Sequence, residues 1–108
     1  MAYEQEFEEL ERDLLNVLKQ WGNDSTTLNL WDEIKDDVKQ EFENKCHWSS
    51  VLSESQYFPS IFSDALIAMQ QQRAIMLAKT DSCLDFQAIR RLNNATRQVA
   101  NLPEVPLV

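Results

Sequence analysis

Two groups of residues in this 108-residue chain have side chains and spacing that could do chemistry. The first is Cys46, His47 and Cys83, thiols and an imidazole of the kind that hold zinc or form a nucleophile–base pair. The second is a run of carboxylates, Asp32, Glu33, Asp36 and Asp37, arranged as two like-charged pairs at a spacing of four.

The metal and nucleophile readings fail on spacing. Cys46 and His47 are adjacent, so on a helix they point about 100° apart, and there is no Cys-x-x-Cys pair. A di-metal carboxylate site in a helical bundle needs a Glu-x-x-His motif on two helices. The single histidine follows Glu43 at a spacing of four, not three. Neither a Gly-x-Ser-x-Gly elbow nor a Gly-rich phosphate loop is present. The sequence therefore predicts no catalytic residue, no metal and no cofactor, and a binding protein in place of an enzyme.

The carboxylates belong to a wider asymmetry. Residues 1–54 carry 14 acids and 5 bases, a net −9, whereas residues 55–108 carry 4 acids and 5 bases, a net +1. Solubility asks a net magnitude of only about 2–8 of a whole small domain. The surplus predicts a docking surface for a basic protein on Glu8, Glu11, Asp32, Glu33, Asp36 and Asp37, as in an adaptor, inhibitor or immunity-type protein. The pairs Asp32/Asp36 and Glu33/Asp37 each cost an isolated helix about 0.2–0.5 kcal/mol. The helix dipole, Lys35 and Lys39 offset part of that cost. The same surface also suits a nucleic-acid mimic whose carboxylates imitate phosphates. Direct nucleic-acid binding has weaker support: Arg90, Asn93, Asn94, Arg97 and Asn101 share one side of a helix, but two arginines without an aromatic are a thin footprint in an acidic chain.

The elements that must position these residues follow from composition and period. The chain is 44% hydrophobic and 26% charged, with one Gly and three Pro, which suits one folded domain and leaves little turn chemistry for strands. Tyr3, Phe7, Leu10, Leu14, Val17 and Trp21 form one helical stripe, ended by Gly22. Trp31, Ile34, Val38 and Phe42 form a second, preceded by capping side chains in residues 23–27. Pro59 suits the first turn of a third helix carrying Phe62, Ala65, Leu66, Met69 and Met76. Ser82 and Asp85 resemble a capping box before a fourth stripe of Leu84, Ala88, Leu92, Ala95, Val99 and Leu102.

The expected fold is all-α: an antiparallel four-helix bundle with helices at about 3–21, 29–45, 60–79 and 83–102. Residues 1–102 form the domain and 103–108 a Pro-containing extended tail. The expected core includes Phe7, Leu10, Leu14, Val17, Ile34, Val38, Phe42, Phe62, Leu66, Met69, Leu92 and Val99. Trp21 and Trp31 are expected to plug one end of the bundle, and Trp48, Tyr57 and Phe58 the other. A connection is expected over residues 47–58, with one short helical turn around Val51 and Leu52.

A second, weaker face of the third helix, Ile67, Ala74 and Ala78, is small and apolar enough for another helix to approach. It predicts a homodimer, or an assembly component in which self-association is the function. Two cysteines are too few for a disulfide framework, and no basic-plus-apolar leader is present, so a reducing cytoplasm is expected. The longest nearly apolar run, Ala65 to Met69, is far short of the roughly 20 residues a membrane span needs.

Overall fold

The computed structural model describes residues 3–22, 24–48, 57–80 and 83–101, with side chains for all of these except 72, 75–80 and 83–85. They form four helices: α1 (Glu4–Gln20), α2 (Ser25–Trp48), α3 (Phe58–Thr80) and α4 (Cys83–Val99). The 103–108 tail, the turn expected around Val51 and Leu52, and the Ser82 cap lie outside the described residues.

The ends of the helices have identifiable causes. Gly22 closes α1 at φ +95°, where an L side chain would be strained, and its N–H donates to the Lys19 carbonyl at 3.1 Å. The α1–α2 turn is shorter than the sequence suggests, because Asp24 supplies a cap. Its carboxylate accepts the Thr26 N–H at 3.1 Å and the Thr27 hydroxyl at 3.0 Å, so α2 starts at Ser25 and not near Asn29. At its other end α2 runs on to Trp48, because buried Cys46 continues the spacing of Val38 and Phe42. Asn101 ends the last helical turn at φ 57°, a left-handed conformation that Asn tolerates.

The helices alternate in direction. Glu4 meets Lys39 and Glu11 meets Trp31, which sets α1 against α2. Phe42 meets Phe58 while Glu33 meets Arg73, which sets α2 against α3. Tyr3–Phe58 and Phe7–Phe62 then run α1 and α3 in parallel. The antiparallel four-helix bundle is the fold.

Its core is graded by side-chain size. Phe7, Trp31, Phe42 and Phe62 interlock with ring centroids 5.5–6.2 Å apart, an aromatic cluster that fills the space between α1, α2 and α3. α3 and α4 make the most extensive helix pair, and both carry small buried residues, Ser63, Ala65 and Ala74 on α3 and Ala88 and Ala95 on α4, of the kind that let backbones approach. The middle of α3 is buried on most of its circumference, through Ile61, Phe62, Ser63, Ala65, Leu66, Ile67, Gln70 and Ala74. A single-stripe reading of α3 fails for that reason. Met69, expected inside, is 37% exposed, while Val17 and Val99 are half-buried against the core.

The aromatic plugs are also corrected in part. Trp31 is fully buried and Tyr57 and Phe58 pack on the core, but Trp21 sits at the surface and Trp48 is 83% exposed. One cross-link closes the opposite end: the Arg91 guanidinium donates to the Trp21 and Gly22 carbonyls at 3.4 and 3.0 Å, tying α4 to the end of α1. Among the described residues, no helix is long and apolar enough to cross a membrane.

Candidate functional site

The apolar stripes of α1 and α2 turn inward, which leaves their acidic side chains outward by helical geometry alone. Glu8, Asp32, Glu33, Asp36 and Asp37 are all exposed. They do not form one patch. Residues at a spacing of four share a side, so Asp32 and Asp36 lie together and Glu33 and Asp37 lie together, on different flanks of α2.

The first flank borders α1. Lys35 reaches Asp32 at 3.5 Å, and Lys39 crosses to Glu4 of α1 at 3.2 Å. The hydrogen bond to Lys39, reinforced by its charge, holds the Glu4 carboxyl below the usual carboxylate range. The hydrogen bond to Glu4 pushes the Lys39 ammonium above its ordinary value, opposed by lost hydration, with the charges of Glu4, Glu43 and Glu8 adding to the rise. The seam between α1 and α2 thus holds carboxylates from both helices, interleaved with two lysines.

Glu11 departs from its expected role. It is half-buried, and its Oε2 accepts the indole N–H of Trp31 at 2.8 Å. Its carboxylate holds a core tryptophan in place and is not a free docking group.

The second flank faces α3. Glu33 pairs with Arg73 of α3 at 2.7 Å. That ion pair stands between two cavities. One, of about 400 Å³, is lined by Thr26, Asn29, Leu30, Ala88 and Ile89 together with the pair. The other, of about 170 Å³, is lined by Ile34, Asp37, Met69 and Gln70 together with the pair. Gln70 is 2% exposed, and its Oε1 has no hydrogen-bond partner. Sequence reasoning missed this groove. Arg73 and Gln70 lie outside the stripe assigned to α3, and only the α2–α3 register brings them to Glu33 and Asp37.

The self-association face is corrected. Ile67 and Ala74 are buried inside the chain's own bundle, because α3 is covered from several sides. Ala78 has no described side chain. The polar side of α4 is corrected as well: Asn93 is fully buried and Asn94 and Arg97 are half-buried, leaving Arg90 and Asn101 exposed.

Cys46 is buried, and desolvation pushes its thiol up to about 11, with Glu6 and Glu43 adding to the shift. A thiol so held stays protonated and unreactive at neutral pH. His47 is exposed beside Trp48, with ring centroids 5.3 Å apart, and the Cys83 side chain lies outside the described residues. Among the described residues, no three His, Cys, Asp or Glu side chains converge as metal ligands would. Compared with known proteins, the chain matches no family model, no curated protein and no solved structure.

Proposed function

We propose that the protein is a small, non-enzymatic binding protein of the reducing cytoplasm, which docks a basic protein partner through the outward faces of α1 and α2. An adaptor, an inhibitor and an immunity-type protein all work in this way. The observation that carries the reading is the net −9 of residues 1–54, most of it on α1 and α2, which hold 12 acids and 5 bases and whose apolar sides are already occupied by the core. Such a field steers a basic partner and speeds encounter, at a rate that falls with ionic strength.

The lysines favour a protein partner over nucleic-acid mimicry. A phosphate mimic calls for an uninterrupted row of carboxylates, whereas Lys35 and Lys39 interrupt the row on the α1 side. The homo-oligomeric reading has lost Ile67 and Ala74 to the core.

The test is kinetic. A partner is captured from native extract at low salt and identified, and its association rate is measured over a range of ionic strength. The triple variant Glu8→Lys, Asp32→Lys, Asp36→Lys keeps its helical spectrum and associates at least about tenfold more slowly. A partner that is acidic, or one whose association rate ignores both salt and charge reversal, overturns the reading. A partner that is itself a nucleic-acid-binding protein, released by competing nucleic acid, replaces it with mimicry.

A further inference from the structure

The cavity of about 170 Å³ between α2 and α3 combines four features that the acidic surface alone does not explain. Two carboxylates, Glu33 and Asp37, stand on its α2 side, one turn apart. Arg73 neutralises one of them at 2.7 Å, which leaves a single uncompensated negative charge at the cavity. Ile34 and half-exposed Met69 supply an apolar wall. Gln70 lines the cavity and is almost wholly removed from solvent, yet its Oε1 accepts no hydrogen bond. An unpaired buried amide oxygen is costly, and a ligand that donates to it recovers that cost.

We propose that this cavity receives a single lysine side chain of the docked partner. The inference rests on the reading of the acidic half as a docking surface, and it extends that surface to the flank of α2 that faces α3. A lysine ammonium is a compact donor of three hydrogen bonds; the cavity offers it the Glu33 and Asp37 carboxylates, and the unpaired Gln70 Oε1 lies buried in its wall. Its single positive charge matches the single uncompensated negative charge. Its four-carbon stem lies along Ile34 and Met69, where an amphipathic side chain buries its methylenes and keeps its head among polar groups. Rotation about the last torsion of Gln70 is soft, so Oε1 can turn towards the incoming N–H without moving the helix. The broad planar fork of arginine is a poorer match for acceptors that sit on separate side chains, and in gripping Asp37 it would bring a second guanidinium beside Arg73.

The probe is blocked lysine, Nα-acetyl-lysine methylamide, with blocked norleucine and blocked arginine as controls, added to the full chain up to about 10 mM and followed by NMR. Blocked lysine is expected to give saturable shifts at the Gln70 side-chain amide and the Met69 methyl, and norleucine none. Gln70→Met keeps the side-chain size and removes the acceptor. It weakens the lysine response about tenfold, as does Asp37→Asn, which is exposed and leaves the core untouched. No shift at Gln70 and Met69, or equal responses to norleucine or arginine, overturns the inference. The docking reading fails separately: charge reversal at Glu8, Asp32 and Asp36 leaves the cavity intact, so lysine shifts that persist while the partner ignores that reversal sink the surface and not the pocket.

Discussion

Trp31 and Glu11, twenty residues apart, are joined by a hydrogen bond of 2.8 Å from the indole N–H to a carboxylate oxygen. The bond lies where α1 and α2 pass each other, and it gives a polar partner to a tryptophan otherwise surrounded by Phe7 and Phe62. Glu11→Ala leaves a buried donor unpaired and is expected to cost about 1–3 kcal/mol. Glu8→Ala, on the open face, stays within about 0.5 kcal/mol of wild type. Denaturant midpoints followed by tryptophan fluorescence separate the two, and equal midpoints show that the bond carries no stability.

Leu14 and Leu92 are fully buried, and truncating either to Ala is expected to cost about 2–5 kcal/mol through lost burial and a residual cavity. Met69→Ala, at a half-exposed position, costs well under that. The ranking is read from urea midpoints at constant slope.

The Glu4–Lys39 pair sets two pH windows. Glu4 is held below its ordinary value in the folded state, so its contribution is present above the unfolded carboxyl pKa and fades as pH falls through the folded one. Lys39 is raised, so its contribution is present below the unfolded lysine pKa and fades as pH rises through the folded one. Glu4→Gln is expected to remove both dependences together. Both groups are exposed, so the loss is a small displacement of the midpoint-against-pH curve, confined to its acid and alkaline ends.

Burial of Cys46 predicts a thiol that reacts slowly. In a Cys83→Ser variant at pH 8, Cys46 of the folded protein is expected to resist alkylation, while the denatured chain reacts at the rate of a free cysteine. Because the folded pKa is about 11 and the unfolded one is lower, the stability this thiol contributes is present below the unfolded value and is lost as pH rises towards 11. Rapid labelling of that folded variant, with its helical spectrum unchanged, contradicts the burial.

Ala74→Glu forces a carboxylate into a position with no exposure. It is expected to unfold the bundle, or to lower its melting temperature sharply. A folded variant that merely shifts from dimer to monomer would restore the outer face first assigned to α3.

The helices were legible because three of the four follow a single rule. In α1, Phe7, Leu10 and Leu14 recur at three and four residues, and all are buried. The boundaries of α2 were less legible. Ser25, Thr26 and Thr27 have capping chemistry, but only one cap is needed and Asp24 takes it. Cys46 went unread as a core residue because its side chain is small and its chemistry suggested a ligand. α3 resisted most. A helix covered on several sides has no single apolar stripe, so Met69 was placed inside and Ile67 outside, the reverse of what packing requires. In the candidate site, the exposure of Asp36 and Asp37 follows from their distance from the stripe. The α3 partners of Glu33 and Asp37 depend on helix register, which no local pattern encodes.

The bonds from Arg91 to the Trp21 and Gly22 carbonyls place a kinetic demand on the chain. They join residues 69 and 70 positions apart, whereas the cross-helix bonds Trp31–Glu11, Lys39–Glu4 and Arg73–Glu33 span 20 to 40. Closing a loop of that length costs roughly 2 kcal/mol more entropy than closing one of about ten residues. During synthesis α1 and its turn emerge first, and their terminal carbonyls stay solvated until some seventy further residues have been added. The first hairpin is therefore completed by a segment made long after it, and the contact order of the whole α1–α4 packing sets a later clock than the local helices do.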